Sequence, residues 1–595
     1  MLSVGFGIHL PGPPCPSAPR IAVLRHRLSI CGTHCRQRGA NRRQPMPTEE
    51  RKERKERRRG HDRGERGGAE HAENASNALL NKSCANFWRA IHPPLPLRAC
   101  HYPHFLEAGG GVGRHYRTWR SHGRLRMNWH SMWVVTEGYV QAMLAPEAWA
   151  EHHFATVDLG DARRTKRAVK VAAQMTKHPA GSVPQQNDSW GGTKATYRLC
   201  DCEDVTFEKI SEGHWQRTRE EAESHPAPVL FLNDTTQVDF TKHRRAKGLG
   251  PIGDGNGQGF LLHSALGIGT GEVPDVLGVM HQSLYCRKPK RKGETRAQRK
   301  ARKRESQKWP ETINAIGAPP EGASWIHVCD READVFETFD ACRGNNTEFI
   351  IRASQNRRVA LGHGAEEPDD SLLDLSRRLK AVGHKQLKVR SRPHRKPRIA
   401  KLRIAFAPVT VFCPRDGSQQ LEPVPCWVVR VWEENTPKGE DPIEWVLLTS
   451  RRVRNRKDAE KIAEYYSHRW MVEEYHKCLK TGCSVEKSRL EEGHRLGALI
   501  GVLAVVAARL LALKHMAHHE PDEPAGRCVS MDHVRVLAAY TKKPIKCFTV
   551  YHFWREVARL GGFLGRKHDG EPGWQTIWRG WQKLDLMVLG ARLKT

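Results

Sequence analysis

The chain has 595 residues and a formal net charge of +32 at pH 7. This excess of Lys and Arg indicates a polyanionic partner, and nucleic acid is expected before a membrane surface because phosphate contacts release counterions. Sixteen cysteines occur without paired CxxC or Cys/His finger spacing, which argues against a zinc finger and for a reducing compartment. The one long apolar stretch, Leu496 to Leu513, contains Arg509 and is predicted to be a buried core helix. We therefore expect a cytoplasmic protein without a membrane span.

Residues 1–142 are predicted to be a head that lies outside the folded domains. Up to about residue 126 the sequence is rich in Arg, Gly, Pro and His and has no sustained periodicity. Such a segment buries too little apolar surface to offset its conformational entropy. Two interpretations stay open: a disordered basic arm that binds nucleic acid, or an over-extended translation start with the true start at Met127, Met132 or Met143. We favour the second and assign this head no function.

A small helical domain is predicted over residues 143–220. Its first helix opens near Leu159, with Asp161 as N-cap, and ends near Lys177. A second helix is predicted from Gly191 to Cys200. Basic residues cluster in the first two turns of the first helix: Arg163, Arg164 and Arg167. A helix pair with a basic start suits DNA binding, although basic helices are also common on other soluble domains.

From Pro228 onward the pattern changes to β-strands. Four apolar runs are Val229–Asp234, Gly259–Ile268, Val276–Ser283 and Trp325–Asp330. The first and the last of these runs each end in an acid, Asp234 and Asp330. A helix, Arg331–Ala341, and another strand, Glu348–Arg352, follow them. This order predicts an α/β fold in which helices pack on a mixed sheet.

Two segments interrupt the predicted sheet. Residues 287–308 carry twelve Lys or Arg against two Glu, and either a solvated segment or a phosphate-tracking surface explains them. Later strands are predicted at Lys401–Ala405, Val409–Cys413, Val424–Trp432 and Ile443–Leu448. We interpret these strands as a β insertion, about residues 385–452, within a domain of residues 221–520. A smaller helical region, residues 521–595, completes the chain.

A long helix, Ala459–Lys480, is predicted to carry a stripe of polar side chains. At about 100° per residue, four of them share one sector about 60° wide: Tyr466, Arg469, Glu473 and Lys480. A carboxylate, two cations and a phenol in one stripe suit a metal ion beside a phosphate. From periodicity alone, a solvent-facing helix with salt bridges such as Glu473 with Lys477 is the better explanation.

Three acids are candidates for one carboxylate cluster: Asp234, Asp330 and Glu473. Carboxylates brought together repel one another unless a cation neutralises them, and an all-oxygen site suits Mg²⁺ or Mn²⁺. Two such ions can activate a water or a 3′-hydroxyl and stabilise the leaving oxygen of a phosphodiester. Taken singly, each acid is explained as well by a turn or a cap. Nearby acids compete for the same roles: Asp239, Asp334 and Glu474.

Several motifs follow one another in a characteristic order. The most specific are Asn233-Asp-Thr-Thr236, Val328-Cys-Asp-Arg-Glu-Ala-Asp334 and Tyr466-x2-Arg469-x3-Glu473-x6-Lys480. Supporting motifs are Leu159-Gly-Asp-x-Arg-Arg-Thr165, Glu305-Ser-x-Lys-Trp309, Leu447-Leu-Thr-Ser450 and Arg559-Leu-Gly-Gly-Phe563. In this combination the chain, from about residue 143 to its end, resembles the bacterial DDE transposases of the insertion-sequence-four family, most closely the Tn-five transposase group. The last specific motif matches that family's Y-R-E-K signature at full spacing.

The resemblance implies a fold and a catalytic triad. The fold is an RNase H-like catalytic domain, residues 221–520, with the β insertion before its last acid and with small α-helical domains at both ends. The resemblance makes Asp234, Asp330 and Glu473 the metal ligands, for two Mg²⁺ or Mn²⁺ ions in each active site. It also favours Glu473 over Glu474.

The resemblance further implies which residues contact DNA near the cut. Tyr466, Arg469 and Lys480 are expected to bind backbone phosphates. Trp445 is expected to stabilise a base flipped out beside the transposon end, which lets the strand bend into a hairpin. Arg352 matches a basic residue that acts near that hairpin.

Recognition of transposon ends and dimerisation follow from the same resemblance. Arg163, Arg164 and Arg167 match the helix that recognises the transposon ends, and Arg489 matches a further DNA contact. The partners are therefore double-stranded DNA and a second copy of the chain, each protomer cutting the end bound mainly by its partner. Residues 521–595 are expected to carry dimerisation.

The sequence thus predicts a cut-and-paste DNA transposase, and two alternatives are weighed against it. A catalytically silent DNA-binding derivative is disfavoured by the intact triad and the intact Tyr466–Lys480 pattern. A metal-dependent nuclease without strand transfer is disfavoured by Trp445 and Arg352, less strongly. The chain departs from the family in its first 126 residues, in its very basic segment 287–308 and in a short C-terminal region.

Overall fold

A computed structural model of the chain describes residues 144–592, with gaps at 272–273, 289–292, 294, 296–303, 390–397, 416–420, 520, 528 and 567–568. The predicted head, residues 1–142, lies outside the described residues, and so does most of the basic segment 287–308. At the edges of that segment Arg287 pairs with Glu305 at 2.5 Å. The roles predicted for the rest of it stay predictions.

The described residues form the following helices: α1 Pro146–Phe154, α2 Ala162–Lys177, α3 Val183–Gln186, α4 Trp190–Asp201, α5 Phe207–Ser224, α6 Lys308–Ile316, α7 Phe336–Gly344, α8 Leu372–Arg378, α9 Arg456–Ser467, α10 Trp470–Lys477, α11 Gly493–His519, α12 Met531–Thr541, α13 Val550–Leu560 and α14 Trp574–Arg592. The strands are β1 Val229–Asp239, β2 Gly250–Ile252, β3 Gly257–Thr270, β4 Pro274–Tyr285, β5 Trp325–Cys329, β6 Glu348–Arg352, β7 Arg358–Leu361, β8 Asp370–Ser371, β9 Gly383–Val389, β10 Arg398–Val411, β11 Val424–Glu433 and β12 Glu444–Thr449.

The two helices predicted near the start of the folded chain are confirmed as α2 and α4. The Asp161 side chain caps α2 by accepting a backbone N–H at 2.8 Å, and Ser189 caps α4 in the same way at 3.1 Å. These caps satisfy donors that the first turn of a helix leaves unpaired. Helix α5 was not predicted, because its sequence is mostly polar and few of its buried residues are large and apolar, such as Phe207 and Ile210.

A mixed sheet of twelve strands organises the described chain. Its order is β2-β3-β1-β5-β6-β12-β11-β10-β7-β8, with β4 paired to β3 and β9 paired to β10. Strands β1, β3 and β4 are antiparallel neighbours, whereas β5 runs parallel to β1 and to β6. The predicted α/β class with helices on a mixed sheet is confirmed.

The strands predicted as an insertion continue this sheet. β12 pairs antiparallel with β6, and β11 and β10 extend the sheet from there. The strands predicted at Lys401–Ala405 and Val409–Cys413 are one strand, β10, which runs through Pro408. The carbonyl of Pro408 accepts the N–H of Gly362 at 2.9 Å, so its nitrogen faces the same side. On that side β9 pairs with β10 only as far as Ile404 and β7 pairs beyond Pro408, so no ladder bond is lost.

The predicted single helix Ala459–Lys480 is wrong, because α9 and α10 are separate and a π turn, Cys478–Gly482, follows. Between α9 and α10 the N–H of Arg469 bonds the carbonyl three residues back, at 3.0 Å. After α10 the N–H of Cys483 bonds the carbonyl five residues back, at 2.8 Å. The chain is therefore overwound and then underwound, and its side chains depart from an even 100° step.

The core helix predicted at Leu496 to Leu513 is confirmed as α11, which is longer at both ends and lies in the core. By length and composition its segment Gly493–Met516 could cross a membrane, and its most apolar window is 100% buried inside the protein. Arg509 interrupts the apolar sequence, and its guanidinium donates to the carbonyl of Leu144 at 2.5 Å and lies 5.3 Å from the Trp149 ring. Leu144 and Trp149 thus contact the charged Arg509 side chain in the middle of α11.

The C-terminal helix α14 packs directly on the π turn. At Gly482 an added Cβ would lie 2.6 to 2.8 Å from three atoms of the Trp578 indole, which is buried. No side chain larger than hydrogen fits such a gap without displacing its neighbours.

We expect Gly482→Ala to lower the free energy of unfolding by about 1–3 kcal/mol, because the added methyl overpacks the contact with Trp578. Urea unfolding of the full chain measures this change. Gly590→Ala in α14 is the matched control, since an added Cβ there meets nothing within 4 Å. It should be neutral or stabilising by up to about 1 kcal/mol. Equal losses in both variants would contradict the assignment of the Gly482 contact.

Candidate active site

Asp234 and Asp330 lie side by side on neighbouring parallel strands. In the β1–β5 register Leu232 pairs with Val328, and the same register carried two residues further sets Asp234 opposite Asp330. Asp330 directly follows β5, as predicted, and its side chain accepts the N–H of Glu332 at 2.9 Å. The prediction that Asp234 ends a strand is wrong, because β1 continues along β3 beyond it.

Glu473 of α10 and Arg469, the residue directly before α10, lie at the same edge of the sheet as Asp234. The Arg469 Nη2 donates to Glu473 Oε1, and its Nη1 lies 4.0 Å from Asp234 Oδ2. The side chains of Arg469 and Asp234 are each 18% exposed, whereas that of Glu473 is 43% exposed. One largely buried cation therefore faces two of the three predicted metal ligands.

The acids act on one another electrostatically. Burial raises the pKa of Asp234 to about 7, with Arg469 opposing the rise and the charges of Asp330 and Glu473 adding to it. Among the residues that the structure describes, no three His, Cys, Asp or Glu side chains stand close enough together to bind a metal ion as they are. The donor chemistry nevertheless fits a hard divalent cation. Three carboxylates lie at this edge of the sheet, and the single positive charge of Arg469 balances only part of their negative charge.

The three acids that competed in the sequence are engaged in local structure. Asp334 accepts from the Arg357 Nε at 2.6 Å in a pair that is almost fully buried. Glu474 accepts from the Lys514 Nζ of α11 at 2.7 Å. Asp239 accepts the backbone N–H two residues on, at 2.7 Å. Each of these carboxylates thus stabilises a loop, a helix contact or a turn.

Three of the predicted DNA-contacting residues form one cluster. The rings of Trp445 and Tyr466 meet edge to face with centroids 5.2 Å apart. The Arg352 Nη2 donates to the carbonyl of Glu444 at 2.7 Å, and β6 carries it to β12. Burial raises the pKa of the Tyr466 hydroxyl, while the Arg352 charge and its hydrogen bond to that hydroxyl oppose the rise. The structure therefore joins β6, β12 and α9 at this point.

A cavity of about 290 Å³ opens beside this cluster. Its charged lining is Arg331, Arg352, Arg377 and Glu444. Sequence reasoning missed Arg331 and Arg377. The position of Arg331, directly after Asp330, was an available signal, whereas Arg377 comes from α8 and no motif marks it.

Lys480 and Arg489 follow α10 in the chain. Lys480 sits in the π turn, and its Nζ is 3.8 Å from Glu486 Oε1. Arg489 is exposed in the irregular segment before α11. The four residues predicted to share one stripe are therefore not spaced by an even 100° step, because the chain changes its winding on both sides of α10.

The three arginines at the start of α2 have different surroundings. Arg163 pairs with its own N-cap, Asp161, at 2.9 Å, and its side chain is 91% exposed. Arg164 donates to Asp204 at 2.5 Å and to the carbonyl of Leu159 at 2.9 Å. It therefore joins α2 to the segment before it and to the loop between α4 and α5. Arg167 is half-buried on the same helix.

His476 is a residue of this site to which sequence reasoning gave no role. Its Nδ1 lies 3.7 Å from Asp234 Oδ2, and burial lowers its pKa to about 3, so the ring is neutral at physiological pH. The signal available in the sequence was its spacing, three residues after Glu473, which puts both side chains on one side of a helix.

The raised pKa of Asp234 predicts a stability change with pH in the metal-free protein. Because the folded pKa, about 7, exceeds the usual 3.8, protonated Asp234 favours the folded state. This contribution is complete below about pH 4 and is lost as the pH rises through 7. Wild type should therefore lose stability relative to Asp234→Asn between about pH 4 and 8, on the order of a few kcal/mol.

Urea unfolding in EDTA across that range measures the difference. The control is Asp254→Asn, because the pKa of exposed Asp254 is lowered by hydrogen bonds from Asn256. Its stability contribution is lost only as the pH falls through that lowered pKa, so the difference from wild type should stay constant above about pH 5. A pH-independent difference for Asp234→Asn would show that Asp234 is not the titrating group.

Three families of known domains match the chain in order. Residues 146–205 match the family described as Transposase DNA-binding, residues 297–508 the Transposase DDE domain, and residues 505–595 the Transposase Tn5 dimerisation domain. The first range contains the arginines of α2, and the second contains Asp330 and the Tyr466–Lys480 motif. Asp234 lies between the matched ranges. A DDE domain makes the protein a nuclease and transesterase, and the chain belongs to the DDE transposases of the Tn5 and IS4 group.

Proposed function

We propose that this transposase moves its element by a cut-and-paste reaction, acting as a dimer on inverted-repeat ends. The observation that carries the proposal is the Arg469 guanidinium between Asp234 and Glu473, on the sheet edge that also presents Asp330. This arrangement gathers carboxylates and a cation at a place where a phosphodiester can bind. The DNA-binding and dimerisation families at the two ends of the described chain support the partners, DNA and a second copy.

The proposed metal ligands are Asp234, Asp330 and Glu473, which would hold two ions of Mg²⁺ or Mn²⁺. When bound, such ions supply an activated oxygen nucleophile and stabilise the leaving oxygen. DDE domains in general use divalent ions, and the oxygen-only donor set is of the kind that Mg²⁺ and Mn²⁺ prefer. The engagement of Asp334 and Glu474 in local ion pairs also supports this choice of acids.

The reaction needs no protein nucleophile. Water attacks phosphorus at the element boundary and releases a 3′-hydroxyl. That hydroxyl then attacks the opposite strand, forms a hairpin and frees the flanking DNA. A second water reopens the hairpin, and the restored 3′-hydroxyl attacks target DNA. Each step exchanges one P–O bond for another, so positioning and charge stabilisation by the protein supply most of the catalysis.

Tyr466, Arg469 and Lys480 are proposed to hold backbone phosphates near the cut. Arg469 would exchange its hydrogen bond to Glu473 for one to a phosphate oxygen, which frees the Glu473 carboxylate for a metal ion. Lys480 approaches from the π turn, where its Nζ makes a loose ionic contact, 3.8 Å long, with Glu486. Because Arg469 and Lys480 lie on differently wound segments, they suit two different phosphates along the strand.

Trp445 and Arg352 are proposed to act on the hairpin. The indole of Trp445 lies against Tyr466, and the charged cavity beside Arg352 is large enough to admit part of an extruded nucleotide. Stacking on an aromatic ring offsets the stacking lost when a base leaves the duplex, by about 1–3 kcal/mol.

End recognition is proposed for Arg163, Arg164 and Arg167, with Arg489 as a further DNA contact. The exposed side chain of Arg163 best suits a direct phosphate or base contact. We keep as proposals the domain limits 143–220, 221–520 and 521–595, the RNase H-like form of the middle domain with strands 385–452 as its insertion, and action in the cytoplasm, where bacterial DNA is accessible.

Replacing Glu473 tests the metal site. Glu473→Gln should reduce Mg²⁺-dependent nicking of DNA that carries the element's own ends by more than about 100-fold. Loss of a hydrogen-bond partner of a metal ligand typically costs about 10–100-fold, and loss of a ligand itself should cost more. Binding of the same DNA should persist. Denaturing gels with Mg²⁺ and with EDTA measure cleavage, and gel shifts measure binding. Glu474→Gln is the matched control, expected to lower stability through its buried pair with Lys514 and to reduce nicking far less than Glu473→Gln does. Wild-type nicking by Glu473→Gln would refute the triad.

Replacing Trp445 separates hairpin formation from nicking. Trp445→Ala should nick at close to the wild-type rate but accumulate about tenfold fewer hairpins, because the extruded base loses its stacking partner. Trp445→Phe should recover part of the yield. The strand products are resolved on denaturing gels over time. Undiminished hairpins in Trp445→Ala would remove this residue from the hairpin step. Nicks without hairpins in the wild type would instead favour a nuclease that does not transfer strands.

A further inference from the structure

A row of buried polar side chains leads from Asp234 into the core. In the sheet register Asp234 of β1 lies opposite Ser264 of β3, and Ser264 lies opposite Gln282 of β4. His476 and Tyr475 of α10 lie over this row and contact it. Ser264 and Tyr475 have no exposed surface, and His476 is 5% exposed. Polar groups at this depth are stable only when they are hydrogen-bonded.

One assignment of the hydrogens satisfies every contact in the row. The Tyr475 hydroxyl donates to the Ala504 carbonyl of α11 at 3.2 Å. The Gln282 amide donates to the Tyr475 oxygen at 3.0 Å and to Ser264 Oγ at 2.9 Å. The Ser264 hydroxyl then donates to His476 Nε2, 3.3 Å away. The Gln282 amide thus donates toward α11 and toward the active site, and on the active-site side the direction of donation runs from Gln282 through Ser264 to His476.

This direction leaves the single N–H of the His476 ring on Nδ1, because the bond at one ring nitrogen decides the proton on the other. Nδ1 faces Asp234 Oδ2 at 3.7 Å, slightly beyond hydrogen-bond length. Arg469 approaches the same oxygen at 4.0 Å. Two donors, one in α10 and one directly before it, thus converge on one carboxylate oxygen.

We propose that His476 is a positioning residue that holds the Asp234 carboxylate in the orientation needed to bind a metal ion. The relay through Ser264, Gln282 and Tyr475 fixes the histidine tautomer and anchors the ring to α11. This inference rests on the proposed function, since it takes Asp234 as a metal ligand. His476 itself touches neither DNA nor the reacting atoms and acts through Asp234. Hydrogen-bond partners of metal ligands typically change metal affinity or activity by about 10–100-fold.

The test measures Mn²⁺ binding to the full chain, from the free-ion EPR signal, together with nicking of end DNA. His476→Leu removes the donor and should weaken Mn²⁺ binding by about 10–100-fold. His476→Asn keeps an amide N–H near the position of Nδ1 and should restore most of the affinity. His476→Gln places its amide nearer Nε2 and should not. Ser264→Ala leaves the His476 ring in place but no longer fixes its tautomer. The Mn²⁺ affinity of this variant should therefore lie between those of His476→Leu and wild type.

Two further variants make the outcomes distinct. Val472→Ala, a buried residue on the same helix, should lower the melting temperature without changing Mn²⁺ affinity. If it weakens Mn²⁺ binding as much as His476→Leu does, the histidine has only a packing role. If Asp234→Asn retains wild-type Mn²⁺ affinity, the proposed metal role of Asp234 fails. If Asp234→Asn loses binding while His476→Leu keeps it, only the positioning role fails.

Discussion

Burial of Asp234 beside two other acids is the constraint on which the active-site half of the fold depends. A carboxylate withdrawn from water next to like charges is unfavourable unless cations and donors surround it. Arg469 and His476 are those groups; α10 supplies His476, and Arg469 directly precedes the helix. The position of α10 against the sheet therefore decides the electrostatics of the site, and the bonds of Glu474 and Tyr475 to α11 hold that position.

The two adjacent glutamates of α10, Glu473 and Glu474, have different surroundings. Glu473 turns toward the sheet edge and Arg469, where a large part of its side chain remains exposed. Glu474 turns toward α11 and is buried against Lys514. Neighbouring residues on a helix are about 100° apart, so Glu473 can contact Arg469 while Glu474 contacts Lys514 on another side of the helix. Exposure and partner, more than residue type, distinguish the two.

The sequence was most informative where the signal is local. The Asp161 cap, the strand β6 and the apolar helix α11 each follow from a cap residue or a hydrophobic run, and the structure has them close to the predicted bounds. Tertiary contacts determine what was missed. β10 passes through Pro408 because its partner strands change there. The position of His476 beside Ser264 depends on the register of strands far apart in sequence. The motifs supplied the candidate residues of the site, but only the folded chain supplies their contacts.

The contact between α14 and the π turn bears on how mutant alleles of this protein should be interpreted. The dimerisation family covers α14, yet the Trp578 indole forms one wall of the turn that carries Lys480. Residues from α1, the sheet and α14 also share one hydrophobic cluster. A frameshift within the last helix would thus open the protein core and disturb the turn that carries Lys480, besides removing part of the dimerisation domain. Such a mutation would therefore impair both dimer formation and catalysis.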